Sequence, residues 1–269
     1  MINRRYYPKE VRRLLDHGKI EGNPFVPNEW FDYVGRYKLG EMDVPPLIDL
    51  AHELRHFDRK KPKEFYAPLH AVRALGQLGD MAADEALILL LENYNDDDLV
   101  ENTVMALTMV GDQAMTKLMT YADKSLTQGE SRGRAAEAFY WYARRHPQHK
   151  QTCIGYLMRL LTHYHRQSPE SNGIIVMHLV ELKATEAMET IVRVFEAEAL
   201  NDEITGSLAA VRVGLGLADE ADFTPDELLG ERDKAFMREQ QEEKKAAAKE
   251  TADRLTNLSG SYSITDHLR

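Results

Sequence analysis

The stretch HAVRALGQLGDMA, residues 70–82, decides the fold of this chain. Its apolar residues recur at three- and four-residue steps, the stripe of a helix that buries one face. Gly79 follows the last of them, where a helix C-cap calls for positive φ. The pattern returns at a spacing of 32 in NTVMALTMVGDQA (102–114) and RAAEAFYWYARRH (134–146). Ala74, Ala106 and Ala138 share one column. Leu75, Leu107 and Phe139 share the next, and Leu78, Val110 and Tyr142 a third. Gly79-Asp80 and Gly111-Asp112 close the first two copies. A fourth copy, IIVMHLVELKATEAM (174–188), aligns after an eight-residue insertion, with Leu182 in the Leu78 column and Lys183-Ala184 in place of Gly-Asp. The small Ala column lets neighbouring helices approach closely. A second helix is expected after each copy, for example Ala83–Leu91 or Gln113–Tyr121. Two helices cannot bury their shared face alone, so the units are expected to stack. The expected fold is all-α, an α-solenoid of helical hairpins.

The flanks complete this layout. Lys9–His17, Pro27–Tyr37 and Pro46–His56 read as helices, with prolines at or near their starts. The first, with the GNPFVP loop, is expected to cap the open N-terminal edge of the stack, and the pair after it to form a degenerate first repeat. At the far end Thr224 is placed to N-cap a helix that starts at Pro225. Glu231–Leu258 is rich in Glu, Lys, Gln and Ala and reads as a solvated helix, followed by a loose tail, SGSYSITDHLR. Three regions result: a cap and degenerate repeat over 1–63, the repeats over 64–220, and a charged helix and tail over 221–269.

At Val72–Leu91, VRALGQLGDMAADEALILLL, the chain resembles the HEAT-like repeat of the phycobilisome-lyase type, close in the first copy and looser in the others. The layout is also similar to a bacterial helical-repeat family of unknown function, whose last segment is like VRVFEAEALNDEITGSLAAVRVGLGL. The first resemblance implies a solenoid that holds a protein partner, and in that family a tetrapyrrole-bearing one, as a bilin lyase or isomerase subunit.

Composition limits the function. The 269 residues are 43% hydrophobic and 29% charged, with a net charge of −10. Such a balance argues against a general nucleic-acid binder, because phosphate contacts need a positive face. Residues 1–63 nevertheless carry a net +3, leaving −13 for the remainder. Cys153 is the only cysteine, so no internal disulfide and no cysteine-based zinc site is possible, and a cytoplasmic location is expected. The basic start lacks an apolar h-region and does not read as a signal peptide, and no apolar run is long enough for a membrane span.

Chemistry-bearing motifs are few. His52, Glu53 and His56 in HELRH spell H-E-x-x-H, the zinc-hydrolase pattern. The extended form fails, since Arg59 and Pro62 stand at its later positions, and Arg55 beside the histidines would weaken metal binding. The sequence has one His-Glu pair, His52-Glu53, whereas the di-iron deoxyhypusine hydroxylase of the same repeat superfamily needs four. His163-Tyr164-His165 is expected to end a helix, Gln151–His165. Asp97 or Asp98 in the acidic run 96–98 is expected to N-cap the next helix, and Cys153 to pack in the core. No cofactor is expected. FYWYARRH (139–146) carries four consecutive aromatics, of which one or two should reach a surface beside Arg144 and Arg145. Aromatics beside arginines suit a protein interface. Tyr140, Trp141, Arg144 and Arg145, with Arg4, Arg5 and Arg12 of the basic start, are the expected partner-binding residues. The expected role is a non-catalytic scaffold or adaptor. The alternatives are a bilin lyase subunit, a nucleic-acid-binding solenoid and a zinc hydrolase.

Overall fold

The computed structural model describes residues 4–53, 62–94, 96–124 and 129–260, and every regular element among them is helical. They form two compact units that divide at Asn201/Asp202. The basic N-terminal residues therefore share one unit with the repeat helices.

The first unit opens with an arm of short elements, α1 (Lys9–Arg12), α2 (Leu14–His17) and α3 (Tyr33–Tyr37), with 3-10 turns at Arg4–Tyr6, Pro27–Glu29 and Glu41–Asp43. The helix expected over Pro27–Tyr37 is thus a 3-10 turn and one α-turn, separated where Asp32 accepts the amide of Gly35 and starts α3 anew. Next come α4 (Val44–His52) and α5 (Pro62–Phe65). Four helix pairs then succeed one another. They are α6 (Ala67–Leu78) with α7 (Asp84–Asn93), α8 (Asp97–Val110) with α9 (Asp112–Lys124), α10 (Gly129–Arg145) with α11 (Lys150–Leu161), and α12 (Pro169–Glu181) with α13 (Met188–Glu196).

The repeat columns form the core. Ala74, Ala106 and Ala138 are fully buried, as are Leu75, Leu107 and Phe139. Full burial stabilises by roughly 2 kcal/mol for each large apolar side chain. α6 and α8 approach closely at Gly76, where a Cβ would lie 2.8 Å from the Cα of Ala106. As a result α4 packs on α6, α6 on α8, α8 on α10 and α10 on α12, while α7 packs on α9, α9 on α11 and α11 on α13.

The turn column takes positive φ in the first, second and fourth copies, with different residues. Gly79 ends α6 at φ 64° and returns its amide to the Leu75 carbonyl. In the fourth copy Lys183 adopts φ 55° without the freedom of glycine. In the third copy Ala143 stands in the glycine column, so α10 runs on to Arg145, just ahead of Pro147.

The second unit contains α14 (Asp202–Thr205), α15 (Leu208–Leu215), α16 (Pro225–Leu228) and α17 (Glu231–Gly260). Thr224 N-caps α16, and Pro225 takes its first position. Asp202 accepts the Glu231 amide at the start of α17, which is solvated along its described side chains. The tail beyond 260 lies outside the described residues. Among the described residues no helix is long and apolar enough to cross a membrane.

Candidate functional site

The second helices of the pairs, α7, α9, α11 and α13, form a row with a polar exposed face. Neighbours in this row are tied by surface contacts. Lys117 of α9 lies 3.4 Å from Glu85 and 3.3 Å from the buried Asp84 of α7. Arg159 of α11 pairs with Asp123 of α9 at 2.5 Å. Gln151 of α11 donates to Glu186, just ahead of α13, at 2.5 Å. Between α9 and α11 the face opens into a groove of about 400 Å³, lined by Thr116, Met119, Thr120, Asp123, Tyr156 and Arg159. Met119 is nearly buried in it, and Tyr156 is steadied by an aromatic contact with Phe139, centroids 5.0 Å apart. The hydroxyls of Thr116 and Thr120 donate back to the carbonyls of Asp112 and Thr116, so they present mainly methyl groups and oxygen lone pairs. The Arg159–Asp123 pair is exposed and hence worth little to stability. It can be traded for contacts to a bound molecule. The groove therefore offers an apolar floor, an aromatic wall and one opposed charge pair.

The face of α6 is already occupied. His70, Arg73 and Gln77 stand three and four residues apart on one side of the helix and read the main chain of the arm. His70 donates from Nε2 to the Gly18 carbonyl at 2.9 Å, which leaves Nδ1 to accept from the Tyr33 hydroxyl at 2.6 Å. Burial pulls this imidazole down to about 4. The Arg73 guanidinium, almost wholly buried, donates to the carbonyls of Glu21 and Gly22 and to Asn102 of α8, and lies 4.7 Å from the centroid of the Trp30 ring. Gln77 accepts the Tyr33 amide and donates to the Phe31 carbonyl, both at 2.9 Å. On α10, Trp141 stacks on Phe25 at 4.8 Å and 15°. The GNPFVP loop, expected at the edge of the stack, therefore crosses the first helices as far as α10.

This contact changes the reading of the aromatic run. Phe139, Tyr140 and Tyr142 are buried. Tyr140 stacks on His178 at 4.4 Å, and its hydroxyl accepts from Arg144 at 2.9 Å. Trp141 is half-buried beneath Phe25. Of the one or two aromatics expected to reach a surface, Trp141 alone is partly exposed, because α8, α11 and α12 surround α10 and Phe25 of the arm covers one face of the indole. Arg144 and Arg145 do reach the surface. The other expected residues sit at the start of the arm. Arg5 and Arg12 are exposed, while Arg4 is held between Asp16 at 2.5 Å and Glu64 at 3.2 Å.

The motif HELRH does not lie within one described helix. α4 ends at His52, and Glu53 departs from helical backbone with ψ 32°. The His52 Nε2 is 3.1 Å from the Ala86 carbonyl, so it carries the hydrogen and donates, which leaves Nδ1 as the ring nitrogen with a lone pair. His56 lies outside the described residues. Among the described residues no three His, Cys, Asp or Glu side chains gather as a metal-holding group. The N-cap of α8 is Asp96, which accepts the Leu99 amide at 3.0 Å, rather than Asp97 or Asp98. The helix expected to reach His165 ends at Leu161, and a 3-10 turn over Tyr164–Arg166 follows.

One cluster was not singled out from sequence. Tyr142 donates to Asp112, His149 lies 3.5 Å from the other carboxylate oxygen, the His146 ring lies against Tyr142 with centroids 4.4 Å apart and planes tilted by 32°, and Cys153 is buried nearby. Burial and the Asp112 charge push the thiol up to about 12, and the phenol of Tyr142 is raised for the same reasons. An activated nucleophile needs the opposite shift. The cluster ties the α8–α9 turn to α10 and α11. Its signal in sequence was the four- and three-residue spacing of 142, 146, 149 and 153, interrupted by Pro147. The chain matches no protein-family model, and no curated protein or solved structure matches it.

Proposed function

We propose that this chain is a HEAT-like α-solenoid that works as a non-catalytic scaffold and binds a protein partner on the row of second helices. The neighbour-to-neighbour order of helix contacts supports the solenoid, as do the left-handed turns at Gly79 and Lys183. The observation that carries the partner surface is the groove between α9 and α11. In a solenoid of stacked hairpins the second helices line the inner side, and this groove belongs to that row. Arg159 and Asp123 at its edge suit a peptide segment with both charged and apolar side chains. Burial and the Asp112 charge raise the Cys153 thiol and the Tyr142 phenol, which favours a packing role over nucleophilic catalysis for that cluster. A lone, buried thiol is compatible with a cytoplasmic setting.

A photo-crosslinking residue placed at Thr120, in cells, tests this reading. One defined protein should be captured there, should be lost when Arg159→Glu is added, and should not be captured from Glu220. Equal capture at both positions, or indifference to Arg159→Glu, would reject the groove as the partner surface.

A further inference from the structure

The face of α6 and α10 already has a ligand, and that ligand is a piece of the same chain. The contacts from α6 go chiefly to main-chain atoms, at Gly18, Glu21, Gly22, Phe31 and Tyr33. The arm also holds itself together. His17 Nδ1 lies 2.5 Å from the Tyr37 hydroxyl, Arg13 donates to the Arg36 carbonyl at 3.2 Å and covers the Tyr37 ring, and Trp30 donates to the Asn23 carbonyl at 3.1 Å. Phe31, Tyr33 and Tyr37 form one aromatic group with His17. The arm is therefore built to move as a module and keep its shape.

The link from this module to α4 is short and strained. Lys38 takes φ 57°, a left-handed conformation that a lysine adopts at a cost. Gly40 has nothing within 4 Å of where a Cβ would stand, and Met42 is 89% exposed, a large apolar side chain left in water at the joint. Straightening residues 38–43 would relieve Lys38 and extend the joint to roughly 20 Å. Strained hinges of this length invite exchange of the element they carry.

We propose that the arm exchanges between two copies of this chain, so that residues 18–33 of one copy fill the seat on α6 and α10 of the other. A second copy is the occupant because the segment that fits this seat is known, and a second copy carries that segment unchanged. Every contact that α6 and α10 make to residues 18–33 re-forms between chains with the same partners. The two straightened joints then run side by side, where the Met42 side chains can cover each other.

The test uses the full chain with Phe25→p-benzoylphenylalanine, in unlabelled and 15N-labelled forms unfolded and refolded together at high concentration. Irradiation links position 25 to α10, and mass spectrometry reads which chain supplied each half. Exchange predicts that about half of these links in the dimer fraction join light to heavy chains, the statistical share for paired copies. Links confined to light–light and heavy–heavy pairs would overturn the proposal. Native mass spectrometry of the unmodified chain gives a second reading that does not depend on the variant folding. A dimer that grows with concentration is expected, and a monomer at every concentration would overturn exchange. Lys38→Gly, which removes the strain, should lower the dimer fraction severalfold at equal concentration, and an equal dimer fraction would overturn the hinge argument on which exchange rests.

Discussion

The two units of this protein are held by different means. Up to Asn201, helix packs on helix through columns of buried Ala, Leu and Phe, and the arm covers a buried arginine and histidine of α6. From Asp202 on, Val211 and Leu215 are the only buried apolar side chains among the described residues. The second unit is closed instead by polar and main-chain contacts. Ser207 donates to the carbonyls of Leu228 and Glu227, and Asp202 accepts the Glu231 amide. Gly206 and Gly230 let backbone approach backbone, since a Cβ at either would lie within 3.0 Å of a main-chain oxygen. The comparison teaches that helical content does not measure stability. α17 is the longest helix, yet Phe236 and Met237 on it remain at least half exposed. The first unit should be the stable one, and the second should open at much lower cost.

The largest expected effect in the first unit is at Arg73. Arg73→Met removes the donor to the carbonyls of Glu21 and Gly22 and to Asn102. Leaving buried acceptors unpaired should lower stability by about 3 kcal/mol in urea unfolding and make the arm sensitive to protease. A loss within experimental error would mean that apolar packing alone seats the arm.

Acid is the next probe. The His70 imidazole sits near 4 in the folded chain, against an ordinary 6.5. Between those values the unfolded chain binds a proton that the folded chain does not. Stability is therefore full above 6.5 and falls as the pH drops towards 4, by an amount on the order of 3 kcal/mol. His17 and His178, also lowered by burial, act in the same direction. His70→Gln, whose amide can still donate to the Gly18 carbonyl, should flatten part of this slope. An unchanged slope would assign it to the other histidines.

Gly76→Ala tests the packing columns directly. The added Cβ meets the Cα of Ala106, so α6 and α8 must separate, at about 2 kcal/mol. A smaller effect is expected in the second unit. Asp202→Ala removes the acceptor for the Glu231 amide and should cost about 1 kcal/mol. Hydrogen exchange should show faster opening at the start of α17 and no change in α6 or α8. Smallest of all, Arg159→Ala breaks an exposed pair and should change thermal stability by less than about 0.5 kcal/mol. That leaves Arg159 usable as a binding probe. A large loss there would show that the groove is structural.

Much of the candidate surface was hidden in the sequence. HELRH was conspicuous as a spelling, but its histidine count said nothing of where α4 ends or of the Ala86 carbonyl that takes up His52. The run FYWY suggested exposed rings because a lone helix cannot bury four in succession, whereas α10, with neighbours on several sides, buries three and leaves Trp141 half-covered. The groove residues Thr116, Met119, Thr120, Asp123, Tyr156 and Arg159 come from two helices whose facing sides no local pattern pairs.

What the sequence determined by itself was local. The three- and four-residue steps, the column spacing of 32, Gly79 after its stripe and Thr224 before Pro225 set which residues become helix and where helices stop, because these signals act over a few residues of backbone. Tertiary structure alone decided what faces what. No local pattern marks Arg73, and only the return of residues 18–33 across α6 makes it a buried donor to main-chain carbonyls. That pairing spans some fifty residues, and main-chain carbonyls leave no mark in a sequence, since every residue carries one.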